Sequence, residues 1–184
     1  LKRLDLSDNR IESIDLFSFI DLTQLTYLSL FHNQIEIIQN KTFFNLYHLI
    51  ELNLKSNRIR TIEINAFHNT KSLKFFDISN NKLSEIKSHY FSKLYNLTSI
   101  KIENNPIKFI EEYSFQNCVN LYNILILGYL KLVSIDDMAF YGTKNLLSLE
   151  LNNNQIKTLK KDSFTGLVSL RSIDLRFNLI KSID

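Results

Sequence analysis

The 184 residues are 45% apolar and 22% charged with a formal net charge of +3, a balance that fits a folded chain and excludes a fibre or a disordered tail. Three glycines, one proline and a single cysteine, Cys118, leave no glycine-rich phosphate cradle, proline-rich linker, intrachain disulfide or cysteine-based zinc module. No apolar run approaches the roughly 20 residues that span a bilayer, and the evenly spread charge offers nucleic acid no basic stripe. The chain opens on Leu1 without a leader and carries no cysteine cluster at either end, so the expectation is a fragment of a longer protein, with membrane attachment only through a segment outside it.

Comparing the chain with itself gives a period of 24. Units begin at Leu1, Leu25, Leu49, Leu73, Leu97, Leu121, Leu146 and Leu170, with one inserted residue in the sixth and a partial eighth. Position four reads Leu4, Leu28, Leu52, Phe76, Ile100, Ile124, Leu149 and Ile173; position six reads Leu6, Leu30, Leu54, Ile78, Ile102, Ile126, Leu151 and Leu175. Position nine is Asn9, Asn33, Asn57, Asn81, Asn105, Asn154 and Asn178 in seven units. Position nineteen, or its shifted equivalent, is Phe19, Phe43, Phe67, Phe91, Phe115, Phe140 and Phe164.

Along one unit, apolar residues at four and six between mostly polar neighbours predict a short strand with one buried face. Such a strand cannot bury that face alone, so the units must stack with parallel strands in one continuous sheet. The asparagine of position nine sits among inward-facing residues, where an unpartnered amide costs about 1–3 kcal/mol. It must therefore bond to backbone of its own and the adjoining unit, as a ladder. The phenylalanine column fills the far side, which needs more room per unit than the strand spacing of about 4.8 Å. The stack should bend with the sheet on its concave side.

The recurring Leu-x-x-Leu-x-Leu-x-x-Asn-x-Ile-x-x-Ile-x-x-x-x-Phe-x-x-Leu pattern, as in LTYLSLFHNQIEIIQNKTFFNL, resembles the leucine-rich repeat family, in particular its 24-residue subclass of animal extracellular proteins. The resemblance covers all of 1–184 and implies a single curved α/β solenoid of about eight coils. It also implies non-enzymatic recognition of a protein ligand, without cofactor, by a cell-surface or secreted protein such as a Toll-like receptor ectodomain, an adhesion receptor or a Slit-like ligand. An intracellular or microbial scaffold, and a sensor segment joined to a signalling or catalytic domain, stay open beside it.

Departures from the pattern carry expectations of their own. The usual proline of the return segment is replaced by Asp15, Gln39, Glu63, Lys87, Glu111, Asp136 and Lys160, which predicts a more helical return. The sixth unit has Tyr129 at the ladder position, predicting a bulge over Gly128 to Leu130, and its AFYG run, with FQNC before it, echoes a bacterial and protist repeat variant.

Chemistry finds little support. His32, His48, His68 and His89 share no face, so neither a metal site nor a catalytic triad is expected. Glu111-Glu112 and Asp136-Asp137 are neighbouring carboxylates that point apart, and Cys118 replaces a leucine of the core. The informative positions are those the repeat leaves free on the concave face. There Tyr27, Phe31, Ile50 and Phe75 are anchors and Glu51, Lys55, Asp77 and Lys101 a charged rim, the composition of a protein interface. A second apolar cluster, Tyr122, Leu125, Leu127 and Leu147, reads as packing around the bulge, with a homodimer contact as its alternative. Glycosylation sequons begin at Asn40 and Asn96, with Asn40 on the outer side the better acceptor.

Overall fold

The computed structural model describes residues 1–92, 94–126 and 131–183. Each unit contributes one strand from its positions three to five: Arg3–Asp5, Tyr27–Ser29, Glu51–Asn53, Phe75–Asp77, Ser99–Lys101, Asn123–Leu125, Ser148–Glu150 and Ser172–Asp174. These pair in chain order as one eight-stranded parallel sheet. The register steps by one whole unit, so the position-four residues from Leu4 to Ile173 form a single row. The strands are short because position eight turns the chain. Asp8, His32, Ser56, Asn80, Asn104, Asn153 and Phe177 all hold a φ between 53° and 58°, a left-handed conformation that asparagine and aspartate tolerate best.

The asparagine ladder is built as the sequence predicts. Asn57 Nδ2 donates to Leu54 O in its own coil at 3.1 Å and to Leu30 O in the coil before at 2.9 Å, while its Oδ1 accepts from Ile35 N at 3.1 Å. Asn33, Asn81, Asn105 and Asn178 repeat this pattern. The predicted bulge over Gly128 to Leu130 and the ladder position Tyr129 lie outside the described residues.

Phenylalanines line the far side. Phe19–Phe43, Phe43–Phe67, Phe91–Phe115, Phe115–Phe140 and Phe140–Phe164 stack with ring centroids 5.6–6.4 Å apart. That spacing exceeds the roughly 4.8 Å between strands, so the coils fan apart on the phenylalanine side and the sheet occupies the inner side of the bend. Phe67 and Phe91 instead each form a T-shaped pair with Phe76, at 5.1 and 6.1 Å. Phe76 is the one phenylalanine in the position-four row, and its larger ring reaches across the core where leucine would not.

The return segments are turns, which corrects the expectation of a more helical return. Among the described residues the only helix is Ser88–Phe91. Phe17, Lys41, Asn65, Tyr113 and Met138, at position seventeen, have positive φ, and a left-handed residue cannot continue a right-handed helix. Of the two remaining residues at that position, His89 lies within the helix itself, whereas Asp162 stands in a turn without a positive φ. The residues that replace proline tie coils together: Glu63 Oε2 accepts from Asn40 N at 2.8 Å, Glu111 Oε2 from Ser88 N at 3.0 Å, and Lys160 Nζ donates to Asp136 Oδ1 at 2.7 Å. Two-residue parallel pairings at positions thirteen and fourteen, such as Ile37–Ile38 with Thr61–Ile62, add a second, broken set of strands that sequence reading missed.

Candidate functional site

The strand face carries the side chains of positions three and five. On it, residues Glu51, Asn53, Phe75, Asp77, Ser99 and Lys101 rim an open concavity of about 500 Å³ whose floor is Leu52 and Phe76. Register explains the grouping: Glu51, Phe75 and Ser99 are direct neighbours on three strands, as are Asn53, Asp77 and Lys101. The Phe75 ring is 44% exposed, although it lies between two strands that are otherwise polar at this position. Asp77 is fixed by Ser79, whose N–H donates to Oδ1 at 3.0 Å and whose hydroxyl donates to the same oxygen. Of the eight residues singled out in the sequence, four meet here: Glu51, Phe75, Asp77 and Lys101.

The other four lie outside it, and two of them, Tyr27 and Phe31, have side-chain partners of their own. Tyr27 is capped by Arg3, whose Cζ stands 3.5 Å from the ring centroid. Phe31 packs against His32, which is 2.7 Å from Asp8. Lys55 gives its backbone N–H to Asn53 Oδ1 at 3.0 Å. Ile50 is exposed before its strand, in a separate depression with His48, Lys74 and Asn96. Sequence reasoning missed Asn53, Ser99 and the floor. The signal available was the position-four column, where Phe76 stands out among leucine and isoleucine. Tyr122 and Leu147 of the second apolar cluster are exposed and Leu125 half-buried, whereas Leu127 lies outside the described residues.

The remaining candidates have ordinary surroundings. Cys118 is buried, its thiol pushed up to about 12 by desolvation and donating toward Phe91 O at 3.3 Å. His89 Nε2 lies 3.1 Å from Ile62 O and His68 stacks on Phe44. Asp136 faces Lys160, while Asp137 accepts from Asp162 N. Among the described residues no group of three histidine, cysteine or carboxylate side chains is placed to hold a metal ion, and no helix is long and apolar enough to cross a membrane. The two sequons differ from expectation in access. Asn40 is half-buried with its Oδ1 enclosed, and Thr42 of its sequon is buried, whereas Asn96 is exposed with Nδ2 donating to Lys71 O at 2.7 Å. Asn120 and Asn145 make the same bond to Tyr95 O and Val119 O, a second, exposed asparagine ladder.

Two family models match the chain. Residues 1–122 match the model of the BspA type leucine rich repeat region, and residues 123–180 match that of the leucine rich repeat. No curated protein matches the chain. Among solved structures, the crystal structure of a TLR13–ssRNA13 complex superposes with a TM-score of 0.59 at 21% identity over 98% of this chain and 37% of that one. That likeness shows the fold, and this chain spans little more than a third of that receptor's length.

Proposed function

We propose that this chain, which belongs to the leucine-rich repeat family, recognises a protein ligand through its strand face and performs no chemistry of its own. Leucine-rich repeat solenoids are typically non-catalytic and generally bind proteins. The observation that carries the reading is Phe75, an aromatic ring 44% exposed on the inner face and rimmed by Glu51, Asp77 and Lys101. An exposed anchor with a charged rim is what a preformed interface needs, and a solenoid has already lost its ordering entropy on folding. The location we assign is the cell surface or the extracellular space, as part of a receptor or adhesion protein held to the membrane by a segment outside this sequence. Asn96 is the more accessible of the two proposed glycan acceptors, and Tyr122 with Leu147 the proposed contact for a homodimer. A second reading, a microbial repeat scaffold, is favoured by the BspA type match of residues 1–122. The RNA in the TLR13 complex belongs to that receptor. Here the strand face mixes Glu51 and Asp77 with Lys101, which favours protein over a polyanion.

The test is site-directed photocrosslinking on intact cells of the source organism. A benzophenone amino acid at position 75 should capture a protein, competed away by unlabelled chain. The same group at Ile64, exposed on the outer side, should not. Capture at position 64 with none at position 75 overturns the proposal.

A further inference from the structure

We infer that the Phe75 concavity takes an arginine side chain of the protein ligand, a reading that rests on the strand face being the recognition surface. The first two coils show how this sheet holds a guanidinium. Arg3 Cζ lies 3.5 Å from the Tyr27 ring centroid, and Arg3 Nη2 is 3.9 Å from Asp5 Oδ2. Tyr27 is the register partner of Arg3, just as Phe75 is the register partner of Glu51. Two coils further along, the same rows therefore offer a ring whose neighbour is a carboxylate instead of a cation. Asp77, two residues beyond Phe75, faces the same side and adds a second carboxylate. Among the described residues no cation lies over the Phe75 ring, and Lys101 is the only cation lining the concavity, with no ion pair to Glu51 or Asp77.

Two carboxylates against one ammonium leave this lining net negative, around an uncapped π face. A cation stacked on the ring meets both features at once. Arginine suits the place better than lysine: the planar guanidinium lies flat on the ring, while its edge donors point outward toward carboxylates on either side.

The probe is the peptide acetyl-Gly-Gly-Arg-Gly-Gly-amide, compared by NMR titration with its citrulline, lysine and glutamate counterparts. The arginine peptide should shift the Phe75 ring and the amides of Glu51 and Asp77. Citrulline, nearly isosteric but uncharged, should bind at least about fivefold more weakly. Phe75→Leu, Glu51→Gln and Asp77→Asn should each weaken binding by about twofold to tenfold. Asp77→Asn keeps the turn intact, because Asn53 makes the same bond to Lys55 N. Lys101→Ala should strengthen binding about twofold or more by removing a like charge. Equal response to arginine and citrulline, preference for the glutamate peptide, or weaker binding by Lys101→Ala overturns the inference. If position 75 crosslinks to a partner segment that lacks arginine, this inference falls while the strand-face proposal stands. Capture on the outer side instead removes both.

Discussion

Replacing Asn57 with alanine should destabilise two coils at once, by an amount that follows from its bonds. Ile35 N, fully buried, loses its asparagine acceptor, which costs about 1–3 kcal/mol. Leu30 O and Leu54 O each keep a second asparagine, Asn33 at 3.1 Å and Asn81 at 3.0 Å. Each of those carbonyls therefore loses only about 0.5–1.5 kcal/mol. The sum is about 2–6 kcal/mol. Asn9→Ala is the internal control: this residue is exposed and, among the described residues, bonds only to Leu6 O and Ser7 O within its own coil. Water replaces those bonds, so the control should cost less than about 1 kcal/mol. Because solenoids unfold by neighbouring units and not always in one step, urea denaturation should be paired with amide hydrogen exchange. Protection of the Ile35 amide should collapse in Asn57→Ala and persist in Asn9→Ala. Equal losses in the two variants, or an Ile35 amide as protected as before, would refute the ladder as a source of stability.

Phe115→Ala removes a fully buried ring stacked between Phe91 and Phe140 at 5.7 and 5.6 Å, and should cost about 3–5 kcal/mol in denaturation. Phe75→Ala should leave melting unchanged because the ring is 44% exposed, yet weaken a captured partner by about 1–3 kcal/mol in a titration. Lys160→Met breaks a pair at 2.7 Å whose side chains are 42% and 43% exposed, so its effect on stability should stay within about 1 kcal/mol. Burial that lifts the Cys118 thiol to about 12 leaves little thiolate at pH 8. Alkylation should therefore be slow in the native chain and fast in urea, and rapid native labelling would contradict the burial.

The repeat grid, the strand row, the asparagine ladder and the phenylalanine spine were legible because each is a column repeated at fixed period, and stacking demands the same residue type in every coil. What escaped the sequence depends on a neighbour's details. The turn at position seventeen is set by backbone conformation in Phe17, Lys41 and Tyr113, residues with no shared chemistry. The reach of Glu63 and Glu111 to Asn40 and Ser88 joins positions fifteen and sixteen of adjacent coils, which no single unit displays. At the candidate site, alternation along each strand identified Glu51, Phe75, Asp77 and Lys101. It could not tell that Arg3 already occupies Tyr27 and leaves Phe75 as the open ring.

Ladder asparagines reach only toward lower-numbered coils, which gives assembly a direction. Asn9 closes its own turn onto Leu6 O and Ser7 O, whereas the Ile11 amide is satisfied by Asn33 of the coil that follows. A nascent chain leaving the ribosome amino end first can thus have the open donors of each loop, the Leu6, Asp8 and Ile11 amides of the first among them, sealed by the loop that follows, so synthesis and folding run in the same order.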